Sequence, residues 1–129
     1  MKPLTEEAAI RAGGWHPRYA VVLAVATYGD VAAALVDANG DGANIDLDQY
    51  QWGPEDGWIC FSSHGCGSSG LTCTGLTVTA FGKASPGEIV QLEYLGATHE
   101  ATANGRGWWL FVTAPEDEET MIRVVGEEG

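Results

Sequence analysis

The amino-acid sequence predicts a mainly β protein, an antiparallel β-sandwich or barrel formed by a single domain of residues 1–129, with one short helix near the N-terminus. The length of 129 residues and an apolar fraction of 45% suit one hydrophobic core. Short apolar runs alternate along the chain with turn residues such as glycine, proline and asparagine. Many short strands joined by tight turns are typical of sandwiches and barrels.

The helix is predicted over residues 5–12. Thr5 can cap its N-terminus, and the two glutamates that follow favour the positive end of the helix dipole. Alanine and isoleucine continue the helix, and the Gly13-Gly14 pair ends it.

Two apolar runs at residues 19–28 and 31–36 flank Gly29-Asp30, a dipeptide suited to a two-residue hairpin turn. They predict two buried antiparallel strands. The abundant alanine also suits a helical hairpin, but a two-residue loop is too short for one, and valine, threonine and tyrosine favour strands.

Further strands are predicted from the remaining apolar or alternating segments, so that strands extend from about residue 19 to residue 125. They lie at residues 45–52, 58–62, 71–81, 89–94, 98–103, 108–112 and 120–125. Alternation along residues 71–81 places Leu76, Val78 and Ala80 on one side of the strand. Thr77 and Thr79 then face the other side.

Three segments are expected to lie outside the strands. Residues 62–70 are small and polar and are expected to form a mobile loop. Residues 116–119 are expected to form a solvated turn, and residues 127–129 an acidic, frayed end.

The second half of the chain has a distinctive pattern of turns, in residues 82–90, at Gly96 and in residues 104–109. A Pro86-Gly87 turn precedes one strand, and a Gly107-Trp108 pair opens another. This pattern resembles bacterial immunoglobulin-like and related β-sandwich modules. The resemblance implies a sandwich fold and a role as a spacer or binding domain.

The charge of the chain excludes some partners. Eighteen acidic and six basic residues give a formal net charge of −12, which repels nucleic acid and anionic membrane surfaces. Residues 19–82 contain no lysine or arginine but seven acidic residues, so this half carries a negative field unless cations neutralise it. Another protein is the expected partner, with no nucleic acid and no membrane.

A cytoplasmic location is expected. The N-terminus has glutamates where a signal peptide would have an apolar run, and no apolar stretch is long enough to span a bilayer. The odd number of cysteines agrees with a reducing compartment. A disulfide from Cys60 or Cys66 to Cys73 and three free thiols both remain open. Together with His64 these cysteines could bind zinc, but their spacing matches no familiar zinc motif.

Residues 37–48 resemble the calcium loop of EF-hand and dockerin proteins, with oxygen side chains at alternate positions, a glycine at the sixth and a carboxylate at the twelfth. The resemblance implies calcium as a bound cation. By position, the ligands would be Asp37, Asn39, Asp41, the carbonyl of Ala43 and Asp48. The alternative is a polar hairpin turn, because turns prefer the same residues.

Aromatic residues suggest a binding surface. Trp52 and Trp58 flank an acidic turn, and Trp108 and Trp109 are adjacent in a predicted strand, so alternation should expose one member of each pair. The predicted surface consists of Tyr50, Trp52, Trp58 and Trp109. The alternative is that Trp108 or Trp109 covers one end of the core.

These observations predict a non-enzymatic binding domain that a bound cation can stabilise. One alternative is a small acidic inhibitor, or immunity-type protein, that blocks a basic protein. The other is a hydrolase that uses Ser62, Ser63 or Cys66 beside His64, with Asp56 or Glu55 to orient the imidazole. Only closeness in sequence supports a hydrolase, and the chain has no nucleophile-elbow, phosphate-loop or dinucleotide motif. No catalytic residue is therefore predicted.

Overall fold

A computed structural model of the chain describes residues 3–40, 45–67, 69–73, 77–94, 96–114 and 122–124. In these residues the protein is mainly β, with one short helix and antiparallel sheets, as the sequence predicts. The elements are α1 (Glu6–Gly13), β1 (Val21–Tyr28), β2 (Val31–Asp37), β3 (Ile45–Gly53), β4 (Gly57–Cys66), β5 (Gly70–Cys73), β6 (Val78–Lys83), β7 (Ile89–Tyr94), β8 (Ala97–Thr102), β9 (Trp108–Thr113) and β10 (Arg123–Val124).

The helix begins and ends at the residues that the sequence indicates. The Thr5 hydroxyl accepts a hydrogen bond from the Ala8 amide at 3.1 Å, which is an N-cap contact. Gly14 adopts a left-handed conformation with φ of 73°, and its N–H bonds back to carbonyls of the last turn. A side chain at Gly14 would be strained in this conformation, so glycine terminates α1.

Sheet 1 contains four strands in the order β1-β2-β3-β4. The predicted hairpin at Gly29-Asp30 is confirmed, with Tyr28 paired to Val31 and Gly29 at φ of 58°. The prediction that residues 62–70 form a mobile loop is wrong for residues 62–66 and for Gly70, which lie in strands. β4 continues through residue 66 against β3, and β5 starts at Gly70, because backbone pairing at a sheet edge does not require large side chains.

The other strands form two three-stranded sheets. Sheet 2 has the order β5-β6-β9, and sheet 3 has the order β10-β7-β8. The single strand predicted over residues 71–81 is wrong, because β5 and β6 pair with each other as antiparallel neighbours, with Cys73 opposite Val78. The expected turn at residues 116–119, the acidic end at residues 127–129 and Leu76 lie outside the described residues.

The described residues form three core clusters, one between each pair of adjacent layers. The first lies between α1 and sheet 1 and includes Ala9, Val36 and Tyr50. The second lies between sheets 1 and 2, and the third between sheets 2 and 3. β2 is buried along its whole length because α1 covers one face and sheet 2 the other. The layers therefore follow in the order helix, sheet 1, sheet 2, sheet 3.

The buried polar residues of the middle layers pair with each other. Gln49 on β3 donates its Nε2 to the hydroxyls of Thr77 and Thr79, at 2.6 and 3.2 Å. The alternation predicted for residues 77–80 is confirmed, since Val78 and Ala80 pack toward sheet 3, on the side opposite to Thr77 and Thr79. Within the part of the chain that the structure describes, no helix has the length and apolar character needed to span a membrane.

Candidate binding surface

Three of the four aromatic residues predicted to form a surface are buried. Tyr50 is fully enclosed between α1 and sheet 1, and the exposed fractions of Trp58 and Trp109 are only 8% and 5%. The prediction is wrong for Tyr50 and Trp109, because it assumed that each strand has one face exposed to solvent. β9 lies in the middle sheet, so Trp108 enters the core between sheets 1 and 2 while Trp109 enters the core between sheets 2 and 3.

Trp52 and Trp58 do lie at a concave surface. Their rings meet edge to face, with centroids 5.4 Å apart and an interplanar angle of 76°. They line a groove of about 450 Å³ between α1 and the turn that joins β3 to β4. Arg11 and Asp56 also line this groove, so an aromatic wall lies beside one residue of each charge.

The opposite face of the same hairpin carries exposed apolar side chains. Tyr28, Val31, Gln51 and Ile59 are paired in one row across all four strands of sheet 1, so they project from one face. Val31 in this row packs toward sheet 2. Tyr28 is 53% exposed and Ile59 is 46% exposed, so sheet 2 leaves this end of sheet 1 uncovered.

A β-bulge in β4 extends this apolar face. The register shifts between Gln49 and Tyr50, which pair with Ser62 and Cys60, so Phe61 is the extra residue. A bulge leaves the extra residue and the next one on the same side of the sheet, which places Phe61 on the face of Ile59. Phe61 is 37% exposed.

Three exposed carboxylates lie in the turns at this end of sheet 1. Asp30 is in the turn between β1 and β2, and Glu55 and Asp56 are in the turn between β3 and β4. The β1–β2 turn contacts the end of β3, because the Trp52 amide donates to the Asp30 carbonyl at 2.8 Å. We call the exposed residues at this end of sheet 1 the hairpin surface; they are Tyr28, Asp30, Glu55, Asp56, Ile59 and Phe61.

A fully buried carboxylate holds the same hairpin to the helix. Asp48 Oδ2 accepts a hydrogen bond from Trp15 Nε1 at 2.5 Å, and Asp48 Oδ1 accepts one from the Ser63 hydroxyl at 2.5 Å. The Tyr50 hydroxyl lies 3.2 Å from both Asp48 Oδ2 and the Ala9 carbonyl. The carboxylate therefore connects β3, β4 and the segment that follows α1. The bulge makes this possible, because it turns Ser63 toward the helix.

This geometry separates the ends of the predicted calcium loop. Asp37 pairs with Ile45, which packs toward sheet 2, whereas Asp48 faces α1 on the other side of sheet 1. Asp37 accepts a hydrogen bond from the Gly40 amide at 3.1 Å, as in a polar turn. Asp48 therefore cannot close a cage with Asp37. Asn39 follows β2 and is exposed, and Asp41 and Ala43 lie outside the described residues.

The structure separates several of the predicted zinc and hydrolase residues. Cys60 packs on the helix side of sheet 1 and Cys66 on the side of sheet 2, and both are free thiols. Ser63 and His64 likewise point to opposite faces, because they are consecutive in a regular strand. The Cys73 side chain is not among those described. Among the described residues, no three histidine, cysteine, aspartate or glutamate side chains are grouped to hold a metal ion.

Burial and negative charge keep nearby groups protonated. Burial raises the pKa of Cys66 to about 11, with the carboxylates of Asp46 and Asp48 as further causes. Burial and then Asp48 also raise the pKa values of Cys60 and Tyr50. The two thiols are therefore poor nucleophiles at neutral pH, and the Tyr50 hydroxyl remains a hydrogen-bond donor.

Burial and the neighbouring Asp48 raise the pKa of Asp46, and His64 opposes this change.

Sequence reasoning missed Tyr28, Ile59 and Phe61 because exposure at one end of a sheet depends on how far the next sheet extends. The alternation of residues 58–62 did contain a signal for Ile59.

Comparisons of the chain with protein-family models, curated protein sequences and solved structures find no match.

Proposed function

We propose that this protein is a binding domain without chemistry of its own, and that it holds a basic protein partner against the hairpin surface. One observation supports the proposal above others. Three exposed apolar side chains and three exposed carboxylates, from the two edge strands and two turns, lie at one end of sheet 1.

The apolar residues would supply most of the binding free energy. Tyr28, Ile59 and Phe61 are each more than a third exposed, and fully burying a large apolar side chain is worth about 1.5–3 kcal/mol. Protein interfaces commonly place such residues centrally, with charged residues around them. Trp52 and Trp58 give the same hairpin an aromatic lining on its other face.

The carboxylates specify the sign of the partner's charge. Sheet 1 lies within the segment of the sequence that has no lysine or arginine, so its own strands offer the turn acids no neutralising partner in sequence. A negative surface attracts a basic partner and speeds its association. An inhibitor of a basic enzyme is one form of this proposal, and assay of the bound partner's activity identifies it.

The test is affinity capture from a lysate of the source organism, with the captured proteins quantified by mass spectrometry. The immobilised wild-type protein is compared with an Ile59→Thr/Phe61→Thr double variant. We expect a basic protein that the wild type captures, and about a tenfold or greater loss of it with the double variant. Both residues are exposed, so the variant should fold, and its melting temperature checks this.

The matched control is Ile89→Thr, which removes an isoleucine of sheet 3 that is somewhat more exposed than Ile59. It should capture the partner as the wild type does. For the charges, Glu55→Gln should weaken capture at low salt, whereas Glu100→Gln on β8 should not. Equal capture by all variants, or capture of acidic proteins only, would refute the proposal.

A further inference from the structure

We infer that the partner binds by adding an extended basic segment to the outer edge of β4. This inference rests on the proposed function and specifies its geometry. β4 is ten residues long and is the last strand in the order of sheet 1. Across the described ranges no strand pairs with its outer side, and an edge strand in this position is where a sheet can add another chain.

The composition of β4 is that of an unprotected edge. Natural edge strands commonly carry lysine, proline or inward-pointing charges that prevent pairing with other chains. Gly57–Cys66 contains no proline, lysine, arginine, aspartate or glutamate. The bulge at Phe61 does interrupt the edge, which leaves residues 57–60 as the regular segment for pairing.

The residues around this segment select the occupant. An added strand would place alternate side chains beside Ile59, where apolar residues gain contact. Its remaining side chains would lie on the side of Trp58 and Cys60, near the groove. Lysine or arginine at its end would reach Glu55 and Asp56 in the adjoining turn. A second copy of this chain is disfavoured, because each copy carries a net charge of −12.

The probe is a pool of synthetic peptides of about ten residues in which lysine alternates with varied apolar residues. Peptides that bind the immobilised full-length protein are identified, and the tightest is made again with N-methyl groups on alternate residues, in both registers. N-methylation removes backbone donors without changing side chains. We expect one register to weaken binding about tenfold or more and the other to leave it nearly unchanged, because only alternate residues of a strand face the neighbouring edge.

Two controls connect the result to β4. The Ile59→Thr/Phe61→Thr variant should bind the peptide more weakly, and the Ile89→Thr variant should bind it as the wild type does. Sedimentation of the free protein tests the second-copy alternative, and a dimer that the double variant dissociates would overturn the inference.

Failure of the inference differs from failure of the proposed function. If both N-methyl registers bind equally, or no peptide in the pool binds, strand addition is wrong. The proposed function still stands in that case if a basic protein is captured in a manner that depends on Ile59 and Phe61. If capture also fails, both are wrong.

Discussion

The two edge strands of sheet 1, β1 and β4, differ in the contacts that the rest of the chain makes with them. At β1, the Leu4 amide donates to the Thr27 hydroxyl at 2.9 Å, and Asn104 Nδ2 donates to the Leu23 carbonyl at 2.7 Å. Other segments therefore contact that edge strand at two points, and the second contact is to its backbone. At β4, no strand covers the outer side within the described residues, and Ile59 and Phe61 are exposed beside it.

The difference teaches which edge is available for binding. An edge that only needs protection can be covered by the protein itself, as β1 is. β4 is instead supported from within, by Asp48 and Ser63, and no strand of the described part of the chain pairs with its outer side. A rigid inner side and an open outer side are what a pre-formed binding strand requires.

The largest expected effect comes from removing the inner support of β4. Asp48→Ala leaves the donors of Trp15, Tyr50 and Ser63 without their shared acceptor, and a buried unsatisfied donor costs about 1–3 kcal/mol. We expect the free energy of unfolding to fall by about 2–4 kcal/mol, measured by urea denaturation. Amide hydrogen exchange should accelerate in β4 and α1 more than in β7.

A loss below about 0.5 kcal/mol would show that Asp48 does not support β4. The control is Glu100→Ala, at an exposed position in β8, which should change the free energy of unfolding little.

A smaller effect is expected at the covered edge. Asn104→Ala removes the hydrogen bond to Leu23 and two more that Asn104 Oδ1 accepts from the amides of Arg106 and Trp108. Because Asn104 is exposed, water replaces part of each bond, and the cost should be about 1 kcal/mol. Faster amide exchange in β1, with β4 unchanged, would confirm that this edge is separately covered. Gln91→Ala, an exposed residue of β7, is the control.

The smallest effect concerns the charge beside Asp48. The pKa of Asp46 is raised in the folded protein, so its ionisation favours unfolding, and the wild type loses stability as pH rises above the ordinary value of 3.8. Asp46→Asn should therefore stabilise the protein at pH 7, by about 0.2–1 kcal/mol because the side chain is partly exposed. At pH 3, where both states are protonated, the two melting temperatures should agree. Stabilisation that persists at pH 3 would contradict this cause.

Much of the fold could be predicted from local signals in the sequence. Thr5 and Gly14 fix the two ends of α1, Gly29-Asp30 fixes the first hairpin, and the bounds of β7 are those predicted. These signals act within a few residues and do not depend on tertiary packing. The division of residues 71–81 into two strands had no such signal that we recognised.

The surface was harder to predict because exposure depends on the number of layers. Tyr50 and Trp109 are buried because α1 and sheet 3 add layers outside a simple sandwich. The bulge that places Phe61 and Ser63 is a tertiary feature, and it determines which residues of β4 meet Asp48. Asp48 matched a calcium-loop position in the sequence, but in the structure it is the hydrogen-bond acceptor for three side chains. Residue type and spacing alone do not show toward which side of a sheet a side chain points.

The most direct test of the central claim is hydrogen–deuterium exchange of the protein bound to the basic partner that it captures. Our account predicts new protection of backbone amides in residues 57–60 of β4, with little change in β1 and sheet 3. Protection that appears at β1 or sheet 3 and leaves residues 57–60 unchanged would contradict it.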